Sequence, residues 1–356
     1  MPSSGDSPAS TPANRLQPPA LPVDAAVADL SERELIARIQ QQLPAAPPWL
    51  LVGIGDDAAV VEPERNRLEV LSVDAVVEGV HFDRRFTPPT AIGHRALAVN
   101  LSDLAAMGAT PRLALLSFAL PAALPCRDFD EIVAGLTALA RRHRLHVVGG
   151  NLTRSPGPLV IDVTVSGTVK RRQVLTRAGA RPGDEIYVTG SIGAATAGRQ
   201  QLSDGAGDAT SHNATRFLYP EPRVRTGLLL GRNRAATAAI DLSDGVADGV
   251  RRLTEAGGVG AIIESDELPI DDDTRAWFTG RGLDPIAESL SGGDDYELLF
   301  TVRPRLRHRL RAVARAGNVP LTRIGVCTPE TAVVLRRVGG DPSSDAPLPG
   351  GYTHFR

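Results

Sequence analysis

The sequence predicts a two-domain α/β (α+β) protein, and three observations carry that prediction. Segments with strand and helix periodicity alternate along the chain. The 356 residues exceed what one typical core absorbs. A composition break at "RAGARPGDEIYVTGSIGAATAG" divides the chain near residues 170–180, and each half carries an acidic turn near a glycine pair.

Taken in order, residues 1–27 are rich in Pro, Ser and Ala and read as a disordered extension. Order starts at "LSERELIARI", where Ser31 and Glu34 form a capping box and Leu35, Ile36 and Ile39 take helical spacing. "RLEVLSVDAVVEGVHF" alternates as a strand and runs to His81. "TAIGHRALAVNLSDLAAMGA" is a helix ended by Gly108 and Pro111, "RLALLSFALP" a buried strand, and "DFDEIVAGLTALARRHR" an amphipathic helix. "LHVVGGN" is a strand running into a glycine turn, and "LVIDVTVSGTVK" is a further strand that closes a first domain over 28–172. The second domain, 173–356, opens with the strand "DEIYVTG" and a small-residue helix after Gly190 to Gly193. A flexible polar loop is expected over 201–215. "AAIDLSDGVADGVRRLTEAGG" reads as strand, acidic turn, helix; "VGAIIESDELPI" as a strand; and "SGGDDYELLFTV" as glycine turn, acids, strand.

Composition excludes several function classes. A net charge of −2 provides no global basic field for nucleic acid or an anionic membrane surface. No run of about 18 apolar residues marks a membrane span, and no secretory signal pattern opens the chain. Cys126 and Cys327 stand alone, so neither a disulfide framework nor a zinc site is expected, and a cytoplasmic location fits. Lys170 is the only lysine, and it lies in no Gly-rich phosphate loop, so phosphate chemistry here must proceed without a P-loop.

Five acidic sites share one character: Asp56–Asp57, Asp74, Asp103, Asp241 with Asp244, and Asp294–Asp295. Each ends an apolar segment or lies on a small-residue helix. Singly, each reads as a solvated turn or a helix cap. Brought together they would repel, and cations between them would hold them ionised. Oxygen donors without clustered His or Cys select hard ions, above all Mg²⁺, which commonly also binds substrate phosphates. The glycines of "GGNLTR" and "SGGDDY" would let backbone N–H groups approach an anion, with Arg154 and Arg177 beside such turns as candidate phosphate partners. Magnesium–nucleotide chemistry is the reading.

The blocks "GIGDDAAV", "SVDAVVEGVHF", "ALAVNLSDLAAMGA", "VVGGNLTR", "LTRAGARPGDEIYVTG", "AIDLSDGVADG", "SGGDDYELLFTV" and "GGYTHF", in this order, closely resemble the bacterial thiamine-monophosphate kinase family over residues 30 to 356. The wider superfamily resembled is that of aminoimidazole ribonucleotide synthetase, selenophosphate synthetase and HypE. The resemblance implies a two-domain PurM-like architecture. Its N-terminal domain forms a dimeric β-barrel with its twin, and an α+β C-terminal domain completes the cleft. It implies transfer of the ATP γ-phosphoryl group to thiamine monophosphate with several Mg²⁺ ions, in a homodimer.

Carried over by position, the resemblance assigns metal binding to Asp57, Ser72, Val73 (through its backbone oxygen), Asp74, Asp103, Asn151, Asp241 and Asp244. It assigns ATP contacts to Gly150, Asn151, Arg177 and Ser243, and thiamine monophosphate contacts to His81, Asp294 and Tyr352, the last as a ring for stacking. Asn151 departs from the family's usual Asp and brings one negative charge fewer. Asp294 stands where Glu is also common. The acceptor is itself a phosphate with a second pKa near 6, so no general base is required. Three alternatives stay open from the residues: a superfamily sibling acting on another small substrate, a non-catalytic nucleotide-binding relative, and a Ca²⁺-stabilised structural protein.

Overall fold

The computed structural model describes residues 25–337 and 345–351. Helix α1 (Glu32–Gln42) starts at the capping box, with the Ser31 and Glu34 side chains each accepting the other's backbone N–H. A short antiparallel pair, β1 (Leu50–Val52) and β2 (Val60–Val61), follows. Then come β3 (Leu68–Val77), α2 (Pro89–Ala106), β4 (Thr110–Pro121), α3 (Cys126–Arg142), β5 (His146–Ser155) and β6 (Val160–Val169). The second half comprises β7 (Glu185–Thr189), α4 (Ala194–Ser203), α5 (His212–Leu218), α6 (Val224–Asn233), β8 (Ala238–Asp241), α7 (Val246–Gly257) and β9 (Gly260–Glu264). It ends with α8 (Asp272–Gly280), α9 (Pro285–Ser291), β10 (Leu298–Val302), α10 (Arg307–Gly317), β11 (Leu321–Thr328), β12 (Val333–Arg336) and β13 (Ala346–Pro347).

Two main sheets result, one from each half, so the molecule is a two-domain mixed α/β protein. The first is four-stranded in the order β3-β6-β4-β5, antiparallel except for the β4–β5 pair. The second is seven-stranded in the order β13-β12-β9-β11-β7-β10-β8, antiparallel except for β12–β9. Alternation along β3 sends Ser72 and Val76 to the covered face of the first sheet and leaves Leu71 and Val73 on the other face, exposed. Val73, Thr164 and Leu115 stand in one row across β3, β6 and β4, so the exposed face is apolar where they meet.

Helix α2 is the centre of the molecule. It packs on α3, β3 and β6 of the first half and on α6 and β8 of the second. Its length is almost wholly buried, which explains a helix without a polar stripe. It lies so close to α3 that a Cβ on Gly93 would come 1.8 Å from the Ile132 carbonyl oxygen, and one on Gly135 would come 1.9 Å from that of Thr90. Only glycine at both positions permits this approach.

Three local expectations change. The "GGN" segment is not a turn: Gly149, Gly150 and Asn151 lie inside β5, paired with Leu115, Leu116 and Ser117 of β4. The loop expected over 201–215 is shorter, because α4 runs to Ser203 and Ser211 caps α5 by accepting from the Ala214 amide. Within the extension assigned to 1–27, Ala25 and Val27 are buried, and Cys126 N donates to Ala25 O at 2.8 Å; residues 1–24 lie outside the described residues. Both cysteines are free and buried. No helix among the described residues is long and apolar enough to cross a membrane.

Candidate active site

The acidic residues meet where α2 passes between β3 and β8. From α2, Asp103 accepts a short hydrogen bond from Ser72 Oγ on β3. On the residue before it, Ser102 Oγ donates to Asp241 Oδ2 at 2.8 Å, at the end of β8. Asn100 Oδ1 accepts from the Asp74 amide at 3.0 Å while its Nδ2 donates to the Asp74 carbonyl at 3.3 Å. One helix thus positions Ser72, Asp74 and Asp241 from two different sheets.

Electrostatics records the crowding. Asp74 still reaches solvent, yet lost hydration, the charges of Asp103 and Asp241 and a bond to Asp103 push its carboxyl up to about 7. Burial, then Asp103, push Asp241 to about 7 as well, against the Ser102 hydroxyl and the Arg177 guanidinium. Arg177 is held in place because the Ala239 amide of β8 donates to the Thr176 carbonyl at 2.9 Å. Arg177, Asp241, Ser243 and Asp244 then line one small cavity with Asp248 and Arg252. Asp244 is paired with Arg252 at 3.4 Å.

Asp294 sits beside this turn. Its amide donates to the Ser243 carbonyl at 2.8 Å and the Tyr296 amide to that of Leu242 at 2.9 Å, which stitches the two acidic segments together. Gly351 closes on the same place: a Cβ there would lie 3.0 Å from the Asp244 carbonyl oxygen. Tyr352 lies outside the described residues.

The other residues assigned from sequence sit on β3, on β5 and on the loops after β1 and β3. Asp57 is exposed on the loop between β1 and β2, its amide donating to Asp56 Oδ1 at 2.8 Å. The Val73 side chain faces away from those of Ser72 and Asp74. Asn151 and Gly150 lie on β5, and the reason for Gly150 is crowding: a Cβ would come 1.9 Å from the Leu116 carbonyl oxygen. His81 follows β3, with Nδ1 accepting from the Val77 amide at 3.0 Å. Arg154 is exposed on β5.

Sequence reasoning missed the residues that hold the others in place. Asn100 and Ser102 are fully buried, and their signal was two uncharged polar residues within the apolar run that leads to Asp103. Asp162 on β6 adds its charge to those around Asp74. Arg95, also on α2, pairs with Asp294.

The donor set is oxygen-only and short of positive charge, which fits a hard dication. Among the described residues, however, no group of three or more His, Cys, Asp or Glu is arranged to hold a metal ion. Asp103 and Asp241 instead accept hydrogen bonds from the Ser72 and Ser102 hydroxyls.

Comparison with known proteins agrees on the whole chain. The AIR synthase related protein N-terminal domain matches residues 55–169, and the corresponding C-terminal domain matches residues 181–337. The thiamine-monophosphate kinase of Escherichia coli K12 is 37% identical over 339 residues, 91% of this chain and 98% of its own. The crystal structure of thiamine-monophosphate kinase from Stenotrophomonas maltophilia K279a superposes with a TM-score of 0.77 at 38% identity, covering 86% of this chain and 96% of that one. AaThiL complexed with AMPPCP and TMP superposes with a TM-score of 0.71 at 30% identity, covering 92% and 98%.

Proposed function

The chain belongs to the thiamine-monophosphate kinase family of AIR synthase related proteins, and from that membership we propose that it transfers the γ-phosphoryl group of ATP directly to thiamine monophosphate, giving thiamine diphosphate. The observation that carries the reading is the cluster of Asp74, Asp103 and Asp241 under α2, with Arg177 and Ser243 beside it. It is strengthened by the solved AaThiL complex, which contains AMPPCP and TMP together.

In this reading Asp74, Asp103, Asp241 and Asp244 hold Mg²⁺, with Ser72, the Val73 backbone oxygen, Asp57 and Asn151 completing the ligands. Mg²⁺ held by these residues would supply the positive charge that offsets the repulsion between the two phosphate groups. The chain's own work is positioning. Ser102 and Asn100 fix the directions of Asp241 and Asp74. Arg177 offers a guanidinium to the nucleotide phosphates beside Ser243, with Gly150 and Asn151 as further ATP contacts. His81, Asp294 and Tyr352 are assigned to the acceptor. No protein base takes a proton, since the acceptor phosphate is already ionised at neutral pH.

The enzyme works as a homodimer in the cytoplasm, with the division between domains near residue 172. A second copy covering Leu71, Val73 and Leu115 would close the four-stranded sheet into a barrel and remove an exposed apolar row from water. The deciding assay is magnesium-dependent ADP release with thiamine monophosphate, free thiamine or no acceptor, with thiamine diphosphate identified by chromatography. ADP and thiamine diphosphate forming together, with the monophosphate only, supports the reading. ADP release that ignores the acceptor, or none with any of them, refutes it.

A further inference from the structure

We propose that Arg95 is a positioning residue for the acceptor: it anchors one oxygen of Asp294 so that the other is presented to an N–H donor on the substrate's heterocycle. The proposal rests on the kinase reading above and goes beyond it by naming the device that orients the acceptor.

Arg95 is a cation in the core. Its side chain is 1% exposed, and its guanidinium lies over the rings of Phe217 at 4.7 Å and Tyr296 at 5.8 Å. Nη1 donates to the Phe217 carbonyl at 2.9 Å, whereas neither Nε nor Nη2 makes an aligned hydrogen bond among the described residues, so Nη2 meets Asp294 by charge alone. A buried guanidinium this poorly served needs a counter-charge. Asp294 supplies it, through an ion pair from Nη2 to Oδ1.

The geometry of that pair sets it apart from a structural bridge. Arginine–carboxylate pairs are frequently bidentate, the fork gripping both oxygens. Here both protein contacts fall on one oxygen: Arg95 reaches Oδ1, and the Tyr296 hydroxyl donates to the same Oδ1 at 3.3 Å. Burial pushes the Tyr296 phenol well above its ordinary range, so the hydroxyl remains a donor. Oδ2 takes no hydrogen bond among the described residues, and the Asp294 side chain keeps 28% of its surface exposed.

The backbone is bent to achieve this. Asp294 has φ +72° and Tyr296 φ +49°, both in the left-handed region. For residues other than glycine this region is strained. The strain is held by the bonds to the Ser243 and Leu242 carbonyls, so the aspartate is fixed relative to the acidic turn as well as to α2. A free, fixed carboxylate oxygen at this place suits an amine or ring N–H, such as the exocyclic amine of an aminopyrimidine.

The test is steady-state kinetics of the full chain at saturating magnesium–ATP. Wild type without turnover of thiamine monophosphate sinks the kinase reading and the proposal with it. With turnover present, Arg95→Gln is expected to raise KM for thiamine monophosphate about 10-fold or more while KM for ATP stays within about twofold, and Arg95→Lys to recover part of the loss. Asp294→Asn added to Arg95→Gln should cost little beyond either change alone. Tyr296→Phe keeps the ring and removes one donor to Oδ1, with a KM rise of about threefold; it carries the test if Arg95→Gln does not fold. Two results overturn the proposal: KM for both substrates rising together, or Tyr296→Phe and Arg95→Lys both matching wild type.

Discussion

Glu297 closes the acidic segment "SGGDDYE", and sequence alone offers no reason to separate it from the functional acids before it. The structure makes it a clamp. Its side chain is fully buried and accepts from Thr189 Oγ1 at 2.5 Å, Arg216 Nη2 at 2.6 Å and Arg223 Nε at 2.6 Å. Those donors come from β7, α5 and the entry to α6. Glu297→Gln preserves shape and removes the charge. Two guanidiniums, 14% and 16% exposed, would then share one neutral acceptor. Arg216 Nε already lacks a partner among the described residues, so no spare acceptor stands by. Breaking one side of such a buried pair costs about 3–5 kcal/mol, a large part of the roughly 5–15 kcal/mol that holds a domain folded. Urea unfolding followed by circular dichroism should show the midpoint falling with the slope unchanged. A loss under about 1 kcal/mol with an unchanged slope would refute the argument, because it would mean that water already screens these charges.

Two further predictions address the metal and the pH dependence. Magnesium should raise the thermal unfolding midpoint relative to EDTA, with about 2.7 kcal/mol of stabilisation at 100 times Kd. Asp103→Asn should lose most of that shift, and equal shifts in both proteins would remove Asp103 from the metal site. Asp295 is pushed from 3.8 up to about 7 by burial, against the Gly193 amide, Arg216 and the Ala195 amide. A folded value above the unfolded one means that its contribution is whole below about 3.8 and is lost as pH rises through about 7. Asp295→Asn should therefore gain on wild type across that window in denaturation at stepped pH. A stability difference that stays constant from pH 4 to 8 would contradict the shift.

Much of the site was legible where chemistry and local pattern coincide. Asp74, Asp103, Asp241 and Asp244 lie on or at the ends of the predicted elements, where a carboxylate in apolar company demands an explanation, whereas Ser72 came only from the resemblance. The glycines of "GGN" misled, since a strand crowded against a neighbouring carbonyl and a turn both select glycine, and only the β4–β5 pairing separates the two. The loop over 201–215 was drawn too long because α5 is only seven residues, capped by Ser211, and stabilised by burying Phe217 and Leu218. Asn100 and Ser102 were quoted within a motif but given no role, since their partners lie 26 and 139 residues away along the chain.

The sequence by itself determined the strands and helices of strong local periodicity, the absence of a P-loop lysine and the oxygen-only character of the candidate ligands. Each of these depends on residue identity or on spacing within one segment. Only the tertiary structure decided which acids share a field, which glutamate is a clamp, and that Arg95 meets Asp294. The first and last depend on α2 being buried between two sheets, and the clamp on β7, α5 and the entry to α6 converging on Glu297. Burial strengthens charge interactions between residues far apart in the chain, and no local periodicity records which residues a buried helix will face.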